Sequence, residues 1–415
     1  MPLPKPPLKQ PLLWSVTVLL LLITTSHATD QATQAKYNLA PSDDVLLPAG
    51  LTEADIANGW LALFDGETLF GWKDTKKSGA NWRVVDNALV ADGGKSSILR
   101  TTTEFDDYEL KIDFQTTEKT NSGVFLRMRY KPGDVATDCY ELNIAEPSNA
   151  FPTGSFVKRN KVEVKHKNDQ WRTFHLTVRG DQVTVMLDGE TVNEYVDTAG
   201  VKRGYVGLQF NKGPIKFRNI VLRPLNVDSI FNGKDLSQWD DSQAKDSKFT
   251  VTETGELKVI GGRGQLESKI QLADFVFSMQ CRTNAVGLNS GIFFRSIPGE
   301  FTNGYESQIQ NSGKDGDRSN PVDCGTGGIF RRSNARRINA NDQQWFCKTI
   351  IATGPHISVW VNGLQVTDWK DERKPHANPR KGLRIEKGTF ILQGHDPTTD
   401  ILFRNFQARE LLPKK

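Results

Sequence analysis

The chain has 415 residues, a formal net charge of +4 and a pI near 8.7, with 37% hydrophobic and 25% charged residues. This length is too great for one ordinary hydrophobic core and predicts roughly two to three domains. The charges nearly balance and there is no long run of lysine or arginine, so we do not expect nucleic acid as a partner.

The N-terminal residues have the pattern of a secretory signal peptide. Two lysines precede the apolar stretch Leu12–Ile23, and small residues follow at Ser26 and Ala28. The stretch is shorter than the ~20 residues of a membrane-spanning helix. We therefore expect residues 1–28 to be removed on export and the mature chain to be periplasmic or extracellular, without a membrane span. A retained membrane anchor is the alternative.

The rest of the chain is organised by an internal repeat, in which the same short motifs follow one another in the same order. The repeat predicts two domains, residues 58–225 and 228–412, preceded by an extension over residues 29–57. The repeated motifs are FDG at 64–66 and FNG at 231–233, NSGVFLR at 121–127 and NSGIFFR at 289–295, and the ungapped segments 171–195 and 345–369.

Each half reads as a succession of β-strands. Apolar and polar residues alternate along YELKIDFQT in the first half and DILFRNFQAR in the second. The dipeptides Asp188-Gly189 and Asn362-Gly363 each lie between two such runs and predict a hairpin. No long stretch has helical periodicity. Many short strands separated by turns predict a β-sandwich in each half.

The order of the motifs resembles that of a known family. FDGxxLxGW, NSGxFxR, GYExQI, TGxxF, a tryptophan before the hairpin, and LQxH with FRN follow one another as in a family long catalogued as a domain of unknown function. That family is associated with 3-keto-disaccharide hydrolysis, through 3-keto-glucoside 1,2-lyase and 3-keto-2-hydroxyglucal hydratase activities. The resemblance covers Gly59 to Pro413.

The resemblance implies an all-β protein of two tandem concanavalin-like jelly-roll β-sandwiches. In each sandwich one sheet would form a concave surface that faces a sugar. The ligand implied is a carbohydrate, a glucoside or a 3-keto-glucoside. The same fold also serves lectins without activity, so the fold alone does not decide between an enzyme and a binding protein.

Strand alternation predicts a polar surface in the second half. In GYESQIQ, Glu306 and Gln308 point to one side and Tyr305 to the other. The polar residues of SGIFFR and LQGH follow the same rule and can share one cleft if these strands are neighbours. The predicted cleft contains Glu306, Gln308, Arg295, Gln393 and His395.

Such a set suits elimination from an oxidised sugar. A ketone at C3 acidifies the hydrogen on C2, so one base and one electrostatic stabiliser suffice, whereas a conventional glycosidase needs two carboxylates. His395 or Glu306 is the candidate base, and Arg295 is the candidate stabiliser. A divalent metal held by His395 and Glu306 is equally allowed. The candidate substrate-binding residues are Gln308, Gln393, Tyr305 and Glu141.

The first copy departs from the family pattern where the second keeps it. Asn143 stands in place of Gln308, and Asn211 in place of His395. We therefore interpret the first domain as a degenerate copy and assign the chemistry to the second. Phe346 follows the repeated tryptophan where the family has asparagine, which keeps open the alternative that both halves are noncatalytic carbohydrate-binding modules. A structural envelope protein is a third class.

Overall fold

The computed structural model describes residues 1–2, 45–77, 79–165 and 167–414. The expected signal peptide and most of the expected extension lie outside these residues. Within the described ranges, no helix combines the length and the apolarity needed to cross a membrane. A short helix, α1 (Glu53–Ala57), precedes the first sandwich and begins at a capping box between Thr52 and Asp55.

The first copy folds as strands because its apolar residues alternate. In the strand Tyr108–Thr116 every second side chain is buried, since successive side chains point to opposite faces and only one face packs on the partner sheet. A one-turn helix, α2 (Val135–Asp138), interrupts the strands. The strands are β1 Leu61–Ala62, β2 Trp72–Asp74, β3 Arg83–Val85, β4 Ala88–Ala91, β5 Ser97–Phe105, β6 Tyr108–Thr116, β7 Asn121–Met128, β8 Tyr140–Ala145, β9 Trp171–Arg179, β10 Gln182–Leu187, β11 Glu190–Val196, β12 Gly204–Lys212 and β13 Ile215–Pro224.

These strands form two antiparallel sheets that face each other. One sheet has the order β11-β10-β9-β6-β13-β4-β3, with β1 paired to β13, and the other has the order β2-β5-β12-β7-β8. The core between them is apolar and contains members of both sheets, such as Ile112 on β6 and Leu208 on β12.

The second copy repeats this plan. It adds one small hairpin and a 3-10 helix at Val322–Cys324. Its strands are β14 Asp228–Ser229, β15 Trp239–Asp240, β16 Lys248–Val251, β17 Leu257–Ile260, β18 Gly264–Leu272, β19 Phe275–Thr283, β20 Ser290–Ser296, β21 Tyr305–Ile309, β22 Gly313–Lys314, β23 Asp317–Pro321, β24 Phe346–Thr353, β25 His356–Val361, β26 Leu364–Lys370, β27 Gly388–Gly394 and β28 Asp400–Glu410.

The sheets of the second copy bring the predicted site strands together. The larger sheet has the order β16-β17-β28-β19-β24-β25-β26, with β14 paired to β28, and the smaller has the order β15-β18-β27-β20-β21. The strands that carry NSGIFFR, GYESQIQ and LQGH are therefore neighbours. The all-β fold of two tandem jelly-roll sandwiches expected from the sequence is confirmed.

Both predicted hairpins are present. Asp188 and Gly189 have φ of 54° and 89°, and Asn362 and Gly363 have φ of 47° and 74°. These left-handed conformations match the right-handed twist of the flanking strands, which explains the Asp-Gly and Asn-Gly dipeptides.

The two sandwiches are in direct contact. The indole N–H of Trp360 donates to the Ala62 carbonyl at 2.9 Å, and the hydroxyls of Thr103 and Ser358 are 2.7 Å apart. Trp360 and Leu411 of the second copy also pack into the hydrophobic core of the first. The sequence gives no sign of this shared packing, because each half carries a full set of strands.

Two loops are longer in the second copy. The segment after β8 covers residues 146–152 before the repeated Thr-Gly, whereas the matching segment of the second copy covers residues 311–325. The segment between the hairpin and the next long strand covers residues 197–203 in the first copy and 371–387 in the second. Both longer loops lie beside the smaller sheet and contribute to the site described next.

Candidate functional site

The smaller sheet of the second copy presents a row of polar side chains. Glu306 on β21 lies opposite Phe293 on β20, and Gln308 lies opposite Gly291. A Cβ atom at position 291 would lie 2.7 Å from Oε1 of Glu306, so glycine there leaves room for the carboxylate to lie across β20. Gln393 on β27 lies opposite Gln265 on β18 and continues the polar row.

Glu306 is a buried carboxylate with one cationic partner. Its side chain is 5% exposed, and Nη2 of Arg380 lies 3.2 Å from Oε2. Burial raises the pKa of Glu306 because it penalises the charged form, and the nearby charges of Arg380 and His395 lower it again in part. The net direction is upward, so at a given pH the protonated form of Glu306 is more populated than that of an ordinary glutamate.

Arg380 is the cation of this cleft, and it is not among the residues predicted from the sequence. It lies on the longer loop 371–387, donates to the Thr302 carbonyl at 3.2 Å, and places its guanidinium 5.0 Å from the centre of the Phe293 ring. No residue of the first copy aligns with it, because the matching loop is much shorter. The repeat therefore carries no signal for Arg380.

Gln308 is fixed by its amide nitrogen and leaves its oxygen free. Nε2 donates to Oδ2 of Asp323 at 2.5 Å, and Asn289 donates to the same oxygen at 2.8 Å. Oε1 of Gln308 is buried without a hydrogen-bond partner among the described residues, and so is Oε1 of Gln393. A buried acceptor without a partner costs free energy unless a ligand or water satisfies it. Both oxygens are thus suited to accept hydrogen bonds from sugar hydroxyls.

His395 follows β27 directly and is paired with its neighbour. Nδ1 lies 2.8 Å from Oδ2 of Asp396, and the side chain is 39% exposed. A carboxylate on Nδ1 favours the tautomer that carries its proton there and leaves Nε2 as a base or ligand. Burial raises the pKa of Asp396, but hydrogen bonds from Thr398 and His395 lower it overall. Asp396 was not recognised from the sequence.

His395 and Glu306 have side chains that can ligate a metal, but two ligands do not complete the coordination of a divalent cation. In the described part of the chain, no three His, Cys, Asp or Glu side chains come together as a metal-binding group. The free amide oxygens of Gln308 and Gln393 could add two neutral donors. A divalent cation would then need water or substrate oxygens to complete its coordination.

Arg295 does not join the cleft, so its predicted position on the polar face is wrong. Its side chain is fully buried and donates to the carbonyls of Ala273 and Gly354 at 2.7 Å and 2.6 Å, while Asp274 accepts at 3.2 Å. The strand register shifts between Phe293 and Ser296, and Arg295 has φ of 48°. This bulge breaks the alternation on which the prediction depended.

Tyr305 also lies outside the cleft, in the core between the sheets. Its ring stacks on Phe294 with 5.5 Å between centroids, and its hydroxyl donates to Asp371 at 2.7 Å. Burial raises the pKa of the Tyr305 phenol to about 12. The side chain therefore does not reach the polar row, although Tyr305 also lines the small cavity next to Glu306.

A buried lysine lies behind the site strand. Lys348 on β24 donates to the carbonyls of Ser307 and Gln308 at 2.8 Å and 2.9 Å and is fully buried. Burial lowers its pKa to about 7, and the nearby Cys281, Cys324 and Glu306 offset part of this shift. The aligned residue of the first copy is phenylalanine at position 174, so this lysine is specific to the second copy.

In the described part of the first copy, the corresponding glutamate lacks a cationic partner. Glu141 accepts a hydrogen bond from Nε2 of Gln209 at 3.0 Å and makes no ion pair among the described residues. Burial raises the pKa of Glu141, and the bond from Gln209 lowers it in part. Phe125, which lies opposite Glu141 on β7, forms an apolar cluster with Met128 and Cys139. An apolar cluster thus lies beside Glu141, whereas the Arg380 guanidinium lies beside Glu306 in the second copy.

The first copy also differs from the second at the counterparts of Gln308 and His395. Asn143, the counterpart of Gln308, donates its amide to the Phe151 carbonyl. Asn211, the counterpart of His395, is exposed and donates to Asn121 at 3.2 Å. Neither residue can replace the carboxylate–arginine pair or the histidine.

Comparison with known proteins assigns the chain to a family. The profile of the 3-keto-alpha-glucoside-1,2-lyase-like domain matches at residues 59–223 and again at 226–409. No curated protein matches the chain. A solved structure of a proposed glycosyl hydrolase from Parabacteroides distasonis ATCC 8503 is 20% identical, covers 42% of this chain and 98% of its own, and has a TM-score of 0.37.

Two further solved structures are similar to a single copy. A second proposed glycosyl hydrolase from the same organism is 24% identical and covers 40% of this chain and 99% of its own, with a TM-score of 0.34. The carbohydrate-binding module CBM66 from Bacillus subtilis is 15% identical and covers 37% and 95%, with a TM-score of 0.31. Because the family profile matches most of the chain, the protein belongs to the 3-keto-alpha-glucoside-1,2-lyase-like domain family, with two tandem copies of the domain.

Proposed function

We propose that the protein cleaves 3-keto-glycosides in its second cleft, by elimination across C1 and C2 and addition of water. The observation that carries the proposal is the buried carboxylate of Glu306, held 3.2 Å from the Arg380 guanidinium on the polar face of a sheet. A carboxyl group whose pKa is raised is suited to exchanging protons with a substrate. Family membership supports a sugar that is already oxidised at C3.

The elimination needs one base and one acid. A base removes the hydrogen on C2, and the electrons of that bond form the enolate of the C3 ketone. The enolate then expels the substituent on C1, whose oxygen takes up a proton as it leaves. Glu306 or His395 is the base, and the other residue protonates the leaving oxygen. Water adds to the resulting 3-keto-2-hydroxyglucal, with hydroxide at C1 and a proton at C2, so the net reaction is hydrolysis.

The other residues of the cleft stabilise the negative charge of the enolate and orient the sugar. Arg380 takes the electrostatic role that the sequence analysis gave to Arg295, because its cation lies on the polar face. The free oxygens of Gln308 and Gln393 accept hydrogen bonds from sugar hydroxyls. In the alternative arrangement, a divalent metal held by His395 and Glu306 would supply Lewis-acid stabilisation of the enolate oxygen, and these two residues would then be ligands in place of base and acid.

We also propose that the protein acts outside the cytoplasm. The support for this is the N-terminal sequence pattern alone, which predicts a mature chain that begins near Thr29. Intact-mass analysis of protein recovered from the exported fraction tests this proposal. Recovery of the full-length chain in membranes would contradict it.

Sugar release from matched substrates tests the activity. The purified protein is incubated with a 3-keto-glucoside and with its unoxidised parent, each with and without a chelator. We expect release from the keto sugar only. Binding of the parent glycan with no turnover of either would favour the noncatalytic carbohydrate-binding alternative. Hydrolysis of the parent glycan would instead indicate a conventional mechanism with two carboxylates and would overturn the elimination.

A further inference from the structure

Among the described residues, two arginines at the rim of the second cleft form no ion pair. Arg331 and Arg332 are exposed and follow Ile329 in a turn beside Glu306. Arg332 donates to two main-chain carbonyls, those of Arg331 at 3.1 Å and Arg380 at 2.8 Å. The Arg331 guanidinium lies 5.0 Å from the centre of the Phe330 ring. Neither arginine forms an ion pair with any residue that the structure describes.

The first copy has basic residues at the same two positions, but acids neutralise them there. Lys158 lies 3.0 Å from Asp134, and Arg159 lies 3.7 Å from Asp197. Asp134 lies immediately before α2, and the counterpart loop of the second copy contains Glu300, which accepts a hydrogen bond from Asn303 and forms no ion pair with Arg331 in the described part of the chain. Both copies thus have a basic turn. Carboxylates pair with its side chains in the first copy and not, among the described residues, in the second.

The surroundings of the second turn are strongly cationic. Arg331, Arg332 and Arg380 line one small cavity of about 100 Å³, and Glu306 is its one acidic side chain among the lining residues. The nearby Asp371 is already bound by Arg373 at 2.8 Å. Burial lowers the pKa of Arg332, and the like charges of Arg373 and Arg380 lower it further, although Asp371 opposes them.

This arrangement matches the recognition of an anion. Guanidinium groups bind carboxylate, sulfate and phosphate through paired N–H donors, and such bonds are stronger than those between neutral groups. An anion at this rim would also offset the repulsion among the arginines. Glu306 lines this cavity and also belongs to the polar row, so one ligand can contact both places.

We infer that the second cleft binds glycosides that carry an anionic group, a carboxylate, sulfate or phosphate, and that Arg331 and Arg332 bind this group. The inference rests on the proposed function for the identity of the reacting sugar, but anion recognition can be measured without turnover. Arg331 and Arg332 are specificity residues in this account and take no part in the chemical step.

Calorimetric binding tests the inference on the full-length protein. The probes are methyl glucoside, methyl glucuronide, glucose 6-sulfate, glucose 6-phosphate and inorganic sulfate. We expect at least one anionic sugar to bind about tenfold or more tightly than methyl glucoside, with the preference decreasing as salt rises. The three anionic sugars identify which anion is preferred. Equal affinities for neutral and anionic sugars would overturn the inference, and so would inorganic sulfate binding as tightly as the anionic sugars.

Matched variants locate the anion site. Arg331→Gln alters an exposed side chain that makes no hydrogen bond with the residues that the structure describes. We expect it to remove most of the anion preference while binding of methyl glucoside is unchanged. Arg332→Gln should do the same if the turn stays folded, as judged by an unchanged thermal transition. The control is Lys158→Gln in the first copy, which should have no effect. An anion preference that survives in Arg331→Gln and in a folded Arg332→Gln would overturn the assignment.

The same variants separate this inference from the proposed activity. If no 3-keto-glycoside is cleaved but the anion preference is present and depends on Arg331, the proposed function fails and the inference stands. If a neutral 3-keto-glucoside is cleaved as efficiently as its anionic analogue, the activity stands and the inference fails.

Discussion

The Arg380 guanidinium lies 3.2 Å from the Glu306 carboxylate, although 74 positions separate the two residues along the chain. Glu306 belongs to a strand that both copies share, whereas Arg380 belongs to a loop that is extended in the second copy alone. The ion pair thus joins a strand that is present in both copies to a loop that is longer in the second copy. This combination explains how two similar sandwiches can differ in function.

Removal of the Arg380 charge should change the pH dependence of activity. The cation lowers the pKa of Glu306, so Arg380→Gln should raise that pKa further. If Glu306 must be ionised to act as the base, the acid limb of kcat/KM should then move to higher pH. The control is Arg404→Gln, in which the arginine stacks on Trp345 instead of contacting Glu306. An acid limb that stays in place in Arg380→Gln would argue against Glu306 as the base.

The histidine of the second copy should be needed for turnover. His395→Ala should lower the rate about a hundredfold to ten-thousandfold, as expected for loss of a positioned acid or base. Asn211→Ala changes the aligned, exposed residue of the first copy and should have little effect. The rates are compared on protein with matching thermal transitions. Full activity in His395→Ala would exclude this histidine from the mechanism.

The buried lysine should make stability depend on pH. The folded pKa of Lys348 is about 7, below its ordinary value of 10.5, so between these values the unfolded chain binds more protons than the folded chain. Stability from this group therefore increases as pH rises through that window. Lys348→Met removes the titration, so the free energy of unfolding of the native protein should increase relative to the variant between about pH 7 and about pH 9.5 in urea unfolding.

The first copy provides the control for this measurement. Phe174→Met alters the packing at the aligned position and introduces no titrating group. The difference in free energy of unfolding between Phe174→Met and the native protein should stay constant over the same pH range. If the difference in free energy of unfolding between Lys348→Met and the native protein is also independent of pH, the lysine has an ordinary pKa in the folded protein.

The contact between the sandwiches should contribute to stability. Trp360 is buried and reaches into the core of the first copy, so Trp360→Ala should lower the free energy of unfolding by about 3–5 kcal/mol. Met186 aligns with it in the first copy and is only partly buried, so Met186→Ala should cost about 1 kcal/mol. Differential scanning calorimetry measures both. Equal shifts in Tm would mean that the interface contributes little.

The fold was readable from the sequence because its signals are local. Alternation and the Asp-Gly and Asn-Gly turns each depend on a few adjacent residues, and the repeat showed them twice. The same alternation correctly put Glu306 and Gln308 on one face. The alternation rule gave the wrong face for Arg295 because a one-residue bulge reverses the direction of the side chains that follow. Nothing in the sequence SGIFFRS marks a bulge.

The rest of the site depends on contacts that are distant in the chain. Arg380 and Asp323 come from loops that are much shorter in the first copy, so neither the repeat nor the family motifs pointed to them. Lys348 lies in a strand among apolar residues, where its burial follows from the facing sheet. The Asp396 partner of His395 is adjacent in sequence and could have been noticed, since a carboxylate commonly orients a functional histidine.

The central claim is that the chemistry belongs to the second copy, and matched charge removal in the two copies tests it most directly. Glu306→Gln and Glu141→Gln each nearly preserve the shape of a buried side chain while removing its charge. On a 3-keto-glucoside, we expect kcat/KM to decrease about a hundredfold or more in Glu306→Gln and to stay within about twofold of the native protein in Glu141→Gln. Equal losses in the two variants, or full activity in Glu306→Gln, would contradict the account.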